Sequence, residues 1–414
     1  MNRRKFLGTT LSAAALTVLG RFGAQADEAA EKRINLPKTN TAEKKTQMIY
    51  RPLGKTGKSV SVIALGIEGF RYKSAQQTKE MIDFAFENGI NFIDVCLSDP
   101  VLLNNLKHAI ANRRDQFVIQ GHIGTIWENG QYRRSRDLQA SKAAYARMLD
   151  AFGGRTDVGM IHYVDDENDF DRLFGAGIID YAMQLKNDGK IGAIGISTHS
   201  PLIGRKAVES GIIDVIMFSA NLGYDLNPEK NEIQYDKDRL DFYELCARKN
   251  IAIDVMKPYG GGNLLNADIS PFGKAFTPVQ ALHYVLTRPG VAAAMVGCQN
   301  VDQIAQALAW CTASPEQKDY AREFHEINAK SWIGHCLYCG HCAPCPQNIN
   351  IADVNKYLNL ALAQTEIPLT VKDHYRLLKH HAGECIRCGV CETRCPFRVS
   401  VREKMQQAVK VFGY

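Results

Sequence analysis

Several common classes are excluded by what this 414-residue sequence lacks. The apolar stretch near its start, LSAAALTVLG, is too short for a permanent transmembrane helix, and no permanent transmembrane segment is expected elsewhere. No basic block with interleaved aromatic residues appears, so a nucleic-acid footprint is missing. A net charge of +6 is too mild to argue for any particular partner. No G-x-G-x-x-G follows the first apolar strand, which removes the dinucleotide fingerprint of an open doubly wound sheet. Cysteine is scarce until late. Of twelve cysteines, only Cys96, Cys246, Cys298 and Cys311 precede residue 335.

What is present begins with the N-terminus. Arg3 and Arg4 are followed by Phe6 and Leu7, then the short apolar run, then the small-residue site Ala24-Gln25-Ala26. A charged region, an apolar region and an A-x-A site make the layout of a secretory signal. The arginine pair points to the twin-arginine route, which carries folded proteins out of the cytoplasm. The expectation is a signal peptide over 1–26, a polar spacer over 27–47, and a periplasmic or otherwise exported mature protein.

Exported proteins often use cysteine for disulfides, but here eight cysteines fall into two tight runs. Cys336, Cys339, Cys342 and Cys345 are spaced C-x2-C-x2-C-x2-C-P. Cys385, Cys388, Cys391 and Cys395 follow the pattern C-x2-C-x2-C-x3-C-P, the bacterial ferredoxin spacing for [4Fe–4S] clusters. By the crossed rule of that pattern, Cys336, Cys339 and Cys342 share a cube with Cys395. Cys385, Cys388 and Cys391 share a second cube with Cys345, whose run is one residue shorter. Zinc would explain C-x2-C pairs but not the third and fourth cysteines or the prolines. The intervening NIADVNKYLNLALAQ and VKDHYRLLKHH are amphipathic, so the segment resembles the helical dicluster ferredoxins.

From Tyr50 onward, short β-branched runs alternate with helical stretches, the signature of parallel βα units. The strands read as VSVIALGI, NFIDV, FVIQGHI, VGMIHYV, IGAIGIS, DVIMFSAN, IAIDVMKP and VAAAMVG. Eight of them, each followed by a helix, predict an α/β fold: a (β/α)8 TIM barrel over 48–325, followed by a small helical dicluster ferredoxin-like domain over 326–414. Chemistry in such barrels gathers at the C-terminal ends of the strands. Those ends give Glu68, Asp94, His122, His162, Ser197, Asn221 and Lys257, and three glycines follow Lys257 where backbone amides could meet a phosphate.

The segments YRPLGKTGKSVSVIALGI, NGINFIDV, MIHYV, GKIGAIGIS and TPVQALHYVL resemble successive landmarks of the aldo/keto reductases, and the style CGHCAPCP resembles a branch carrying a C-terminal ferredoxin segment. The resemblance implies an NAD(P)-binding barrel with a catalytic Asp, Tyr, Lys and His. Asp94 matches the aspartate and His162 the histidine. At the tyrosine position stands Asp99, and at the lysine position His122. A carboxylate at 99 would repel developing oxyanion charge, whereas a histidine, a side-chain type that titrates near neutrality, could act as the acid at 122. After the eighth strand, Cys298, Gln299, Asn300 and Gln303 offer no cation for a 2′-phosphate.

The expectation is therefore an exported iron–sulfur oxidoreductase. Asp94, His122 and His162 form its polar centre, with His122 as proton shuttle; Ser197, Asn221 and Lys257 are the candidate cofactor contacts. Two [4Fe–4S] clusters connect a small-molecule substrate, or a held cofactor, to an external redox partner protein or electron carrier. The alternative is a catalytically silent barrel serving as an electron-transfer or binding subunit of a larger redox complex.

Overall fold

The computed structural model describes residues 47–128, 131–229, 232–324, 334, 336, 342–362, 366–395 and 397–414. The expected signal peptide and nearly all of the spacer lie outside these residues, as do the junction at 325–333, Cys339 and Pro396.

Eight parallel strands close into a barrel: β1 (Ile63–Gly66), β2 (Phe92–Val95), β3 (Val118–Ile123), β4 (Thr156–Ile161), β5 (Ile191–Thr198), β6 (Val215–Ser219), β7 (Ala252–Met256) and β8 (Val291–Gly297). Each pairs with its sequence neighbour, and β8 pairs with β1. These are the eight runs expected from the sequence. β3 and β4 are buried at every position, because helices cover the outside of a parallel barrel and side chains fill the inside.

The surrounding helices start where the chain supplies caps. Ser74 with Gln77 and Thr277 with Gln280 form capping boxes, and Pro201 follows the cap Ser200. Inside the barrel, Phe92, Val118, Val158, Val215, Ala252 and Met295 fill the lower core, and Leu53 and Val60 join them from the hairpin Tyr50–Pro52/Ser59–Ser61. A second hairpin, Thr125–Glu128/Gln131–Arg134, continues directly from β3 at the opposite end. Gly124 makes that exit with φ +88°, and a Cβ there would stand 2.9 Å from the Ser135 carbonyl oxygen.

The tail is helical as expected, with helices Ile351–Leu362, Leu369–Arg376 and Val401–Phe412. It repeats itself. Cys345 and Cys395 are each followed, three residues on, by a left-handed residue (Asn348, Arg398), then a buried Ile349 or Val399, then a helix beginning at Ile351 or Val401. The tail packs against the barrel's base. Arg51, which donates to the Leu286 and Val291 carbonyls at 2.8 Å each, faces Asp353 and Tyr357 electrostatically. Leu360, Ala361 and Val371 cluster with Ala247 at the C-terminal end of helix Lys237–Lys249. Among the described residues no helix is long and apolar enough to cross a membrane.

Candidate active site and cysteine-lined centre

Strand periodicity of two lines up the interior side chains of each strand. On β3, Val118, Gln120 and His122 share one stripe; on β2, Phe92 and Asp94; on β7, Ala252 and Asp254. The lower layer is apolar and the upper layers are polar, so the interior changes character toward the C-terminal ends of the strands.

There Asp94, His122 and His162 come together. Asp94 lies beside Gln120 in the register of β2 and β3. Its Oδ1 accepts from Gln120 Nε2 at 2.9 Å and lies 2.9 Å from His122 Nε2. His122 Nδ1 lies 2.7 Å from His162 Nδ1, the rings meeting edge to face at 67°. His162 Nε2 is bonded in turn to the hydroxyl of Tyr132. All three predicted residues are buried. Burial, followed by the charges of His122, Arg136 and Arg134, holds the His162 imidazole well below the usual histidine range. These groups form a hydrogen-bonded chain rather than a cation site: among the described residues no three His, Cys, Asp or Glu side chains are grouped to hold a single metal ion.

Three members of this network escape the sequence reading. Gln120 donates to both Asp94 and, at 2.6 Å, Asp254. Asp254 is fully buried in the middle of β7, and burial drives its carboxyl well above the ordinary range, against the Gln120 bond and with help from Asp94's charge. The signals for both were available, since a Gln and an Asp interrupt otherwise apolar strands at interior positions. Tyr132 had none, because it reaches the site from a hairpin.

Asp99 has a different employment. It precedes helix Pro100–Ile110, and its carboxylate accepts from the Val101 and Leu102 amides at 2.9 and 3.5 Å. A helix N-terminus stabilises that negative charge.

Ser197, Asn221 and Lys257 do not join the chain. The Ser197 hydroxyl donates to the Ile161 carbonyl at 3.4 Å. Asn221 caps the turn Leu222–Asp225 and holds the Lys257 carbonyl at 3.0 Å. Lys257 has φ +59°, and its Nζ sits 2.9 Å from His199 Nε2, whose Nδ1 lies 3.0 Å from Asp165 Oδ2. Glu68 is exposed in the turn Ile67–Phe70. In the glycine run, the Gly260 and Gly262 amides are already bonded to the Lys257 and Tyr259 carbonyls, which leaves less of a phosphate cradle than the sequence suggests.

In the tail, Cys345, Cys385, Cys388 and Cys391 line one cavity together with Cys342, walled by Ile349, Ile351, Val401 and Met405. The four cysteines expected for the second cube thus stand together with Cys342, which is expected for the first. Cys342 feels Cys336, Cys395 and Cys391 electrostatically, neighbours drawn from both expected sets. Burial pushes the Cys342 thiol up to about 12, so a bare thiolate is disfavoured there and a cation such as iron is needed to hold one. The Arg387 amide approaches Cys385 Sγ at 3.4 Å and the Val399 amide Cys395 Sγ at 3.5 Å, the N–H···S contacts that tune iron–sulfur centres. Left-handed Arg387 and Gly389 let the Cys385–Cys391 loop wrap around one point. Thiols facing an apolar cavity, with backbone N–H groups on the sulfurs, fit an iron–sulfur group.

Comparison with known proteins agrees on both parts. The model of the aldo/keto reductase family matches residues 62–280, just over half of the chain, and that of a 4Fe-4S dicluster domain matches residues 335–400. The chain is 23% identical to an uncharacterized oxidoreductase, YqkF, of Bacillus subtilis over 286 residues, covering 63% of this chain and 90% of that one. A solved putative aldo-keto reductase from Pseudomonas aeruginosa is 26% identical, with a TM-score of 0.50 over 64% of this chain and 94% of that one. The holo form of aldo-keto reductase AKR11C1 from Bacillus halodurans, 18% identical, shares the fold with a TM-score of 0.55 over 68% of this chain and 97% of that one. With an eight-stranded parallel barrel, a family model matched over residues 62–280 and two cysteine runs behind it, this chain belongs to the aldo/keto reductase family and carries a C-terminal 4Fe-4S dicluster domain.

Proposed function

We propose that the protein is an exported oxidoreductase in which the barrel interconverts a small alcohol and its carbonyl compound while two [4Fe–4S] clusters connect it to an external one-electron partner. The carrying observation is the unbroken hydrogen-bonded chain from Asp94 through His122 to His162 at the mouth of the barrel. The interconversion exchanges two electrons and two protons. The clusters, one electron each, serve the external partner from the tail at the barrel's base, and the histidine chain supplies a proton path at its mouth. His122 is the shuttle, placed between a carboxylate that orients it and His162, which stands nearer the mouth. With Asp99 bound to its helix and a histidine at 122, the barrel works with an altered tetrad and not the family's tyrosine–lysine pair. Export through the twin-arginine route suits a protein whose clusters are inserted before crossing.

The test uses anaerobically purified holoprotein. Mixing with small alcohols and aldehydes should change the cluster absorption, and His122→Ala should slow that change about 10²–10⁴-fold, the usual worth of a positioned acid–base. Equal rates in the variant would remove the assigned role.

A second reading, a silent barrel acting as a binding or electron-transfer subunit, draws on the capping role of Asp99 and on the missing cation after β8. Titration with NADH and NADPH separates the two. Tight binding of either speaks for nicotinamide chemistry in the barrel; no binding at millimolar concentration, together with unchanged cluster absorption, favours the silent subunit.

A further inference from the structure

The structure assigns Tyr132 as the group that takes the hydroxyl proton of an alcohol substrate, with His162 and His122 passing a proton on to Asp94. This rests on the proposed alcohol–carbonyl chemistry and adds its proton acceptor and the direction in which the resting protein is set.

The chain of bonds is Tyr132 OH, His162 Nε2, His162 Nδ1, His122 Nδ1, His122 Nε2, Asp94 Oδ1. Each hydrogen bond needs one donor and one acceptor, and a neutral imidazole has one of each. An ionised Asp94 can only accept, so His122 must carry its proton on Nε2. If His122 is neutral, its Nδ1 is an acceptor. His162 must then donate from Nδ1, which leaves Nε2 as an acceptor and makes the Tyr132 hydroxyl the donor. The other ordering requires an imidazolium at His122, with His162 donating to the phenol. Burial of the histidine pair opposes that added cation, while the Asp94 carboxylate 2.9 Å from His122 Nε2 is the group that favours it. Arg134 and Arg136, whose charges act on His162, are held beside the pair by Asp169, Arg134 at 2.9 Å and Arg136 at 2.7 Å, so they are fixed features of the site.

In the neutral ordering every proton points from the mouth toward Asp94. A substrate hydroxyl can pass its proton to the Tyr132 oxygen while the phenolic proton moves to His162 Nε2. The His162 Nδ1 proton then moves to His122 Nδ1, and the His122 Nε2 proton to Asp94. No phenolate accumulates, which suits a phenol that burial pushes above its ordinary range. The product is a substrate alkoxide and a protonated Asp94. Overall, the alcohol gives its carbonyl compound, two protons and two electrons: the O–H proton ends on Asp94, the carbinol C–H bond breaks with its proton released to solvent water, and the electron pair it leaves passes one electron at a time to a one-electron acceptor such as a viologen. The reverse reaction begins from the same chain with Asp94 protonated.

Tyr132 is suited to face a substrate. It is half-buried where His122 and Asp94 are buried, and it sits on the hairpin that rises from β3 beyond the barrel. Its ring stands edge to face with His162 at 80°, and across the hairpin it pairs with Trp127, over which Arg71 stacks. The ring is thus held by its neighbours, and phenylalanine can replace it with the packing intact.

The test has two arms on anaerobic holoprotein. In the first, histidine-¹⁵N NMR, with resonances assigned from His122→Gln and His162→Gln, should find His122 protonated on Nε2 and His162 on Nδ1, both neutral at pH 7. Tyr132→Phe should shift the His162 Nε2 signal toward that of a free acceptor. An imidazolium at His122, an Nε2-protonated His162, or a spectrum indifferent to Tyr132→Phe overturns the relay. In the second arm, benzyl viologen reduction is followed with glycerol and with benzyl alcohol. Tyr132→Phe should lower kcat about 10²–10⁴-fold with little change in KM and unchanged iron content; turnover within twofold of the native protein overturns the assignment. Native protein that turns over neither alcohol counts against the alcohol chemistry itself, while the nitrogen spectrum still decides the relay.

Discussion

The barrel and the tail bury polar chemistry in opposite ways. At the barrel mouth, Asp94, Gln120, His122 and His162 are linked by bonds of 2.7–2.9 Å between residues on neighbouring strands, although the Gln120 Oε1 atom stays unpartnered. The framework that holds them is built from apolar strands. In the tail, the sulfurs of Cys342, Cys345, Cys385 and Cys391 face an apolar cavity. The protein's own contacts to cysteine sulfur there, at Cys385 and Cys395, are weak N–H···S approaches of 3.4 and 3.5 Å. One region positions its chemistry by folding. The other is organised around something it must acquire. Metal binding then becomes part of the tail's folding free energy, which for small metal domains is large.

The largest expected effect follows from that difference. Oxidation and chelation of iron from the holoprotein should unfold the tail and spare the barrel. Proteolysis would then cut beyond residue 325, and circular dichroism would lose the contribution of helices Ile351–Leu362 and Val401–Phe412. The remaining barrel should melt cooperatively within about 5 °C of its holo value, a shift of about 1 kcal/mol or more for a domain of this size. A single transition in which barrel and tail are lost together would show that the base contact through Arg51 and Asp353 couples them more strongly than the separate chemistries suggest.

A smaller effect probes the barrel's buried acid. Burial raises the Asp254 carboxyl well above the ordinary carboxylate range in the folded protein. In the unfolded chain it ionises near pH 4. The sign follows: its unfavourable contribution is absent below about pH 4, grows as pH rises through that value, and levels off once pH exceeds the raised folded value. Asp254→Asn keeps the shape and an acceptor for Gln120 while removing the titration. The variant should gain on the native protein by about 1.4 kcal/mol for each unit of pH above 4 until the buried acid itself ionises. Urea denaturation at pH 5 and pH 8 reads this directly, and an equal difference at both values would refute it.

How much of this the sequence carried depends on how local the information is. Cysteine spacing is local, and it pointed to the 4Fe-4S dicluster domain that the family model matches over residues 335–400; Cys345 lines one cavity with Cys342, Cys385, Cys388 and Cys391. The strands were legible because β-branched runs between helices repeat eight times. Asp94, His122 and His162 were legible because strand ends in a barrel converge. Gln120 and Asp254 required the interior stripe of each strand to be followed one layer down, where a polar residue among apolar ones is costly unless paired. Tyr132 could not be read, since its position depends on a hairpin whose path is set by Gly124 and by contacts with His162. Nor could the tail's seat on the base, which rests on Arg51, Asp353 and Ala247 meeting from distant parts of the chain.

The smallest effect falls on the residue that most invited a catalytic reading. Asp99 stands where the resemblance places a tyrosine, yet its carboxylate is spent on the amides of Val101 and Leu102 at the start of helix Pro100–Ile110. Asp99→Ala should therefore cost about 1 kcal/mol of stability, the ordinary worth of a lost cap, and Asp99→Asn much less, because asparagine caps nearly as well. Neither should move the proton chemistry, since no bond joins Asp99 to the chain from Tyr132 to Asp94. If Asp99→Asn changed turnover tenfold while leaving the melting curve alone, the carboxylate would belong to the mouth's electrostatics after all, and the division between a capping Asp99 and a working Asp94 would have to be redrawn.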